Sequence, residues 1–221
     1  MSPAFRKLFV AVIISLNLIF VLSQISIVSV YDNTASGEEF FKFDKPKKKS
    51  AKSPRVKLRS SYREVLVFQI YTMQHMSIRK KDALGIYGHS TIQHEYEANT
   101  IDENKIVIDN ATGLMWHQSG SPEDMSWQDA KEWVKKLNNS GYARYYDWRL
   151  PTVEEAASLL EQSKKNGDLY IDPSFDKKQW FLLTGDSKYG EDAVWLVRLD
   201  TGYVFCSSST FSYVRTVRSF R

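Results

Sequence analysis

The chain has almost no cysteine. Cys206 is the one cysteine among 221 residues, so no disulfide can form within the chain. Small exported domains often depend on disulfides, and this chain must be stabilised by its apolar core instead. Hydrophobic residues make up 43% of the chain and aromatic residues 14%, which suffices for a core and excludes a disordered protein. Cys206 is predicted to be a small apolar strand residue, because free cysteines are usually buried.

The region after residue 63 lacks an excess of basic residues. Residues 64–221 hold 18 bases and 22 acids, whereas residues 42–63 hold ten bases and one acid. Because nucleic-acid-binding proteins need a basic face against the phosphates, no nucleic-acid partner is expected. Residues 31–63, which contain the basic run 42–63, are predicted to be a flexible linker. Two interpretations of the run stay open: a solvated spacer, and a tether for anionic lipid or another polyanion.

A long apolar run is found at the N-terminus. Residues 8–30 are apolar apart from six polar residues, and they follow Arg6 and Lys7. A helix that spans a bilayer needs about 20 apolar residues, and a signal-peptide core needs about 7–15. Residues 1–30 are therefore predicted to be a signal anchor or a signal peptide, with the membrane as partner through residues 8–30. An uncleaved anchor is favoured, and basic residues on both sides of the run leave its orientation open.

The pattern changes twice after the linker. Residues 64–100 are predicted to be a partly ordered N-terminal extension, apolar at first and then polar. Residues 101–221 are predicted to form one domain, which begins with strands and continues with two helices capped by Ser126 and Thr152. The remaining segments favour strands with a two-residue period, at 180–184, 193–199, 203–205 and 213–218. This order predicts an α+β fold with two helices and a mostly antiparallel sheet.

Several motifs in this domain resemble one family. The run from Asp109 to Trp116 resembles the opening motif D-x-A-T-G-L-M-W, and the run from Asp147 to Thr152 resembles the central motif D-W-R-L-P-T. Together these motifs are similar to the DUF1566 / Lcl C-terminal domain family, whose fold is C-type-lectin-like. The resemblance implies a protein of the bacterial cell envelope, with glycan binding in some members. It favours export of the domain to the periplasm or cell surface, while a cytoplasm-facing orientation stays open.

The same motifs supply the candidate site. Trp148 can stack against a sugar ring while Asp147 accepts hydrogen bonds from its hydroxyls, so these two are the candidate ligand-binding residues. A structural role of Trp148 is favoured, because large aromatic residues at strand spacing usually belong to the core. The other motif residues are predicted to be structural: Asp109, Thr112, Gly113, Leu114, Met115, Trp116, Arg149, Leu150, Pro151, Thr152, Trp195, Arg215 and Arg218.

No catalytic residue, metal site or cofactor is predicted. The polar group His89, His94, Glu95 and Glu97 matches no common zinc motif. Three hypotheses remain, in this order: a non-catalytic ligand-binding or adhesion module, a membrane-tethered structural or protein-interaction domain whose contacts come from residues 62–100, and an enzyme. A ligand-binding module predicts an exposed aromatic or polar groove, and an interaction domain predicts a large apolar patch. An enzyme predicts a cleft that holds a pair of titratable groups with strongly shifted pKa values.

Overall fold

The computed structural model describes residues 54–209 and 211–220. The predicted membrane segment 1–30 and the first part of the predicted linker lie outside these residues. Within the described ranges, no helix combines the length and apolar character needed to cross a bilayer.

Short strands and helices alternate along the described residues. The strands are β1 (Glu64–Val65), β2 (Met76–Asp82), β3 (Gly85–Ser90), β4 (Tyr96–Ile101), β5 (Asn104–Asp109), β6 (Leu114–His117), β7 (Phe181–Lys188), β8 (Val194–Arg198), β9 (Tyr203–Ser207) and β10 (Val217–Ser219). The helices are α1 (Val67–Tyr71), α2 (Trp127–Asn139) and α3 (Val153–Ser158), and a 3-10 turn spans Tyr142–Arg144. The predicted α+β class is confirmed, and the two predicted helices are α2 and α3.

The strands form two sheets, whereas a single sheet was predicted. The first sheet has the order β1-β7-β8-β9-β3-β2, and all neighbours are antiparallel except β1 and β7. The second has four antiparallel strands in the order β10-β6-β5-β4. The division was missed because β2, β3 and most of β4 lie in the polar segment 77–100. The four middle residues of the edge strand β4 are all exposed, so the alternation that marks a strand is absent.

Both main helices begin at side-chain caps. The Ser126 hydroxyl accepts a hydrogen bond from the backbone N–H of Asp129 at 3.1 Å, at the start of α2. At the start of α3, Thr152 and Glu155 form a reciprocal capping box, in which each side chain accepts from the other residue's backbone N–H. Such caps satisfy N–H groups that have no partner within the helix. The predicted starts of both helices are therefore confirmed.

The core lies on both faces of the six-stranded sheet. The largest apolar cluster joins one face to α3 and to β6, and Trp116 and Trp195 are fully buried in it. The Trp195 indole N–H donates to the carbonyl of Val65 in β1 at 3.2 Å. A second cluster packs α2 against the opposite face through Ala130 and Val134. Burial of large apolar side chains is the main stabilising contribution in such a fold.

The segment before β1 is fixed by the buried carboxylate of Asp186 in β7. Asp186 accepts two hydrogen bonds from the Arg59 guanidinium, at 2.9 and 2.7 Å, and one each from the backbone N–H groups of Arg63 and Val153. Arg59 also contacts Glu154. Residues 59–63, which fall in the predicted linker, are therefore held against β7 and α3.

The last part of the chain passes from one sheet to the other. Tyr213 bridges to Leu182 in the six-stranded sheet, and Val217 pairs with Trp116 in the four-stranded sheet. The predicted strand 213–218 is regular only within β10, because the residues between Tyr213 and Val217 make this crossing.

Arg215, in the middle of the crossing, is fully buried. Its guanidinium donates to the backbone carbonyls of His117, Gln118 and Asp176 and to the side-chain oxygen of Gln179. Arg215 is thus surrounded by carbonyl oxygens, and its predicted structural role is consistent with this burial. Burial lowers the pKa of Arg215 to about 9, which still leaves it charged near neutral pH.

His117 at the end of β6 is a buried neutral imidazole. Its Nδ1 accepts a hydrogen bond from the backbone N–H of Gly120 at 2.8 Å, and its ring stacks on Tyr142 at 4.2 Å between centroids. Burial, followed by the charge of Arg215, lowers the pKa of His117 to about 3.

We expect the free energy of unfolding to fall as the pH decreases below about 6.5, the ordinary pKa of histidine. The unfolded chain binds a proton at His117 there, whereas the folded chain binds it only near the folded pKa of about 3. Each pH unit in this window lowers the stability by up to about 1.4 kcal/mol. Denaturant unfolding at several pH values should give a flatter profile for His117→Gln than for the unaltered chain. An equally flattened profile for His75→Gln, at an exposed histidine, would contradict this assignment.

Candidate functional site

Asp109 closes the turn between β5 and β6. Its carboxylate is 1% exposed and accepts hydrogen bonds from the backbone N–H groups of Glu95 and Ala111 and from the Thr112 hydroxyl. Gly113 then adopts a φ of 71°, a left-handed conformation that glycine reaches without a steric penalty. The geometry of this turn explains why the motif contains these residue types.

His94 makes a further hydrogen bond to Asp109. Its Nδ1 lies 2.7 Å from the Asp109 carboxylate, and its Nε2 lies 2.8 Å from the carbonyl oxygen of Ser158. Both partners offer acceptor oxygens, so both ring nitrogens of His94 are engaged within the fold. Burial alone would raise the pKa of Asp109, but the hydrogen bond and charge of His94, with the Thr112 hydroxyl, bring this pKa below its ordinary value.

The two candidate ligand-binding residues lie in different environments. Trp148 is 2% exposed, and its indole N–H donates to the carbonyl of Tyr142 at 2.9 Å. Its backbone exchanges two hydrogen bonds with the Asn138 side chain, both of 2.8 Å. Asp147 is exposed and pairs with Arg218 at 2.6 Å. A buried indole has no free face for a sugar ring, so these two residues do not enter the site described below.

The remaining motif residues lie in the interior. Arg149 forms a bidentate pair with the buried Glu155, with both distances 2.7 Å. The backbone N–H of Thr152 donates to the same carboxylate at 2.9 Å. The apolar members are all buried: Leu114, Met115, Trp116, Leu150, Pro151 and Trp195. These positions are suited to holding the fold together rather than to contacting a ligand.

A polar cleft of about 430 Å³ opens beside His94. One wall comes from residues within 89–96, which lead from β3 into β4. The other comes from residues within 161–172, after α3, namely Glu161, Gln162, Ser163, Lys165 and Asp172. A backbone hydrogen bond of 2.8 Å from Ser90 to Leu160 joins the two segments. The cleft is therefore built from parts of the chain that are distant in sequence.

Two buried polar atoms of the polar cleft have no hydrogen-bond partner among the described residues. They are the phenol oxygen of Tyr96 and Nδ1 of His89. The Tyr96 ring stacks on His94, with 4.9 Å between centroids. Burial, followed by the charges of Asp109, Glu161 and Asp172, raises the pKa of Tyr96 well above its ordinary value, so its hydroxyl remains protonated and able to donate.

The sequence did not reveal this cleft. From the sequence, His89 and His94 belong to a polar group that matches no common zinc motif, and no site is predicted within residues 161–172. The available signal was the density of polar residues in both segments, but their contact depends on the path of the chain. Among the described residues, no group of three or more His, Cys, Asp or Glu side chains could hold a metal ion.

A row of aromatic residues crosses one face of the six-stranded sheet. Tyr87, Tyr203 and Phe205 stack in succession, with centroids 4.2 and 4.7 Å apart, and Phe181 meets Phe205 edge to face at 5.6 Å. Trp180 continues the row beside Phe181 and is 44% exposed. The stacked rings cover one another's faces, and the Arg198 guanidinium lies over the Trp180 ring, 5.5 Å from its centroid. The row is consequently a weaker sugar-stacking surface than its composition suggests.

We expect Asp109→Asn to lower the free energy of unfolding by about 1.5–3 kcal/mol, because an amide has one acceptor oxygen where the buried carboxylate accepts from His94, Thr112 and two backbone N–H groups. Asp102→Asn is the matched control: it breaks the ion pair with Arg144, in which both side chains are more than half exposed, and should change stability little. Denaturant unfolding near neutral pH measures both changes. Equal losses in the two variants would show that the His94–Asp109 pair does not stabilise the fold.

Comparison with known protein families identifies this domain. The model of the Lcl C-terminal domain matches residues 105–218, which extend from β5 into β10 and make up more than half of the chain. The match includes the 161–172 wall of the polar cleft, whereas the 89–96 wall precedes it. A search of curated proteins gave no match. The chain belongs to the Lcl C-terminal domain family.

Proposed function

We propose that the chain is a non-catalytic ligand-binding module of the bacterial cell envelope, with a glycan as ligand and the polar cleft as binding site. Its fold is proposed to be C-type-lectin-like. Residues 8–30 are proposed to anchor the chain in the membrane and to place the domain in the periplasm or at the cell surface. Residues 42–63 are proposed to bind anionic lipid or another polyanion. At the level of the family, the match supports a non-enzymatic domain associated with the cell envelope.

The unpartnered polar atoms of the cleft are the observation that carries the glycan proposal. A volume of about 430 Å³ lies within the range of small-molecule sites, about 300–1,000 Å³. A buried polar atom without a hydrogen bond costs about 1–3 kcal/mol, and a sugar hydroxyl removes this cost because it both donates and accepts. Tyr96 and His89 supply such atoms, and Ser163, Gln93 and Glu161 add hydroxyl, amide and carboxylate groups.

The state of the titratable groups supports a non-catalytic role. Both ring nitrogens of His94 are already bonded to Asp109 and Ser158, so neither can exchange a proton with a ligand without breaking the buried pair. Cys206 lies buried in β9, and burial raises the pKa of its thiol, which disfavours the reactive thiolate.

A second candidate function is binding of another protein through residues 62–68. Tyr62, Leu66 and Phe68 are 47%, 47% and 70% exposed and lie within one short segment around β1 and α1. Exposed apolar side chains that cluster in this way are typical of protein contacts. This alternative matches the hypothesis of an interaction domain whose contacts come from residues 62–100.

We expect the full chain, in detergent, to bind one class of glycan saturably on an array at physiological salt. Ser163→Trp places a large ring in the cleft from an exposed position and should weaken this binding by about tenfold or more, since displaced hydrogen bonds are worth at least about 1.4 kcal/mol together. Ser208→Trp, at an exposed serine that does not line the cleft, should leave it unchanged.

A further variant distinguishes glycan binding by the cleft from polyanion binding by the linker. Replacement of the six lysines between residues 42 and 53 by glutamine should abolish binding to polyanions and preserve binding of the cleft's glycan. Absence of glycan binding by the full chain in every condition would refute the proposal. If glycan binding is absent and Phe68→Ser abolishes capture of a defined protein partner, the second candidate is supported instead.

A further inference from the structure

We infer that the glycan taken by the polar cleft is an amino sugar with a free, protonated amine beside a hydroxyl or ether oxygen. This inference rests on the proposed function and names the ligand class of the same site. The positive group would bind the carboxylate of Asp172, and the neighbouring oxygen would accept a hydrogen bond from Tyr96.

The charges of the cleft favour a cation. Glu161 is paired with Lys165, whose Nζ lies 2.8 Å from the carboxylate, and His94 is paired with Asp109. Lys165 also interacts electrostatically with Asp172, but Asp172 has no ion-pair partner within 4 Å among the described residues, so the two carboxylates exceed the one lysine by one negative charge. A sulfated or uronic-acid glycan would meet like charge here, which disfavours binding, whereas an ammonium group meets a complementary charge.

Asp172 is positioned to receive that ammonium group. One oxygen of its carboxylate accepts a hydrogen bond from the backbone N–H of Ser174 at 2.8 Å, which fixes the side chain. A carboxylate offers about four acceptor sites in all, so one such bond leaves capacity for a ligand. Hydrogen bonds between an ammonium group and a carboxylate are stronger than those between neutral groups.

The Tyr96 hydroxyl supplies the second, independent feature. It is buried beside the carboxylates and has no partner among the described residues, and its hydrogen requires an acceptor. A hydroxyl or ring oxygen next to the amine would satisfy it, whereas a simple alkyl amine would not. The combination of a free carboxylate and an unused phenol hydrogen therefore distinguishes an amino sugar from a lysine side chain.

The test compares two oligosaccharides that differ only in whether the amine of each sugar carries an acetyl group. Isothermal titration calorimetry of the full chain in detergent, near pH 6, would use glucosamine oligomers and N-acetylglucosamine oligomers of equal length. We expect the free-amine oligomer to bind about tenfold more tightly or better. Asp172→Asn should remove this preference, and Asp168→Asn should keep it. Asp168 belongs to the same loop, is 98% exposed and does not line the cleft.

Tyr96→Phe tests the hydroxyl separately. Because that oxygen is unpartnered among the described residues, its removal should leave the free energy of unfolding unchanged or raised, while affinity for the amino sugar falls severalfold. Unchanged affinity in this variant would overturn the role of the phenol. Equal binding of both oligomers would overturn the inference while the proposed function stands, and absence of binding to any glycan would refute both.

Discussion

Buried carboxylates that must be satisfied constrain the path of the chain in this domain, whose stability comes mainly from its apolar core. Asp109, Glu155 and Asp186 are each at most 1% exposed, and each accepts hydrogen bonds from several donors. A carboxylate removed from water is tolerated only when its hydrogen-bonding capacity is met. Asp186 joins the segment before β1 to α3, and Glu155 joins the central motif to the same helix. Asp109 joins the turn after β5 to the segment before β4. The three groups thus determine where the connecting segments lie.

The polar cleft follows from this arrangement. Asp109 orients His94, His94 donates to the end of α3, and the segment after α3 becomes the second wall. The site is therefore formed at the junction between the family domain and the extension that precedes it. Two parts of the chain therefore have different roles. The family motifs build the interior, and the less regular segments supply the polar groups that a ligand would contact.

The features that could be predicted from the sequence are those determined by residues close together in the chain. The caps at Ser126 and Thr152 and the turn at Gly113 depend on neighbouring residues, so their sequence signature is direct. The edge strands β2 and β4 were missed because strands with exposed faces need no apolar alternation. The carbonyl shell of Arg215 and the proximity of Tyr96 to Glu161 could not be predicted either. Both depend on contacts between residues far apart in the chain, and neither has a characteristic spacing.

The edge pairings of the two sheets have a consequence for folding speed. Strand β1 pairs with β7 through Glu64 and Ser187, and β10 pairs with β6 through Val217 and Trp116. Contacts of such large sequence separation close slowly, because a long loop must be ordered before they form. Neither sheet can be completed until nearly the whole domain has been synthesised. In the interval the edge of β6 that β10 will cover, at Leu114, Met115 and Trp116, remains unpaired, so the nascent chain is open to misassociation.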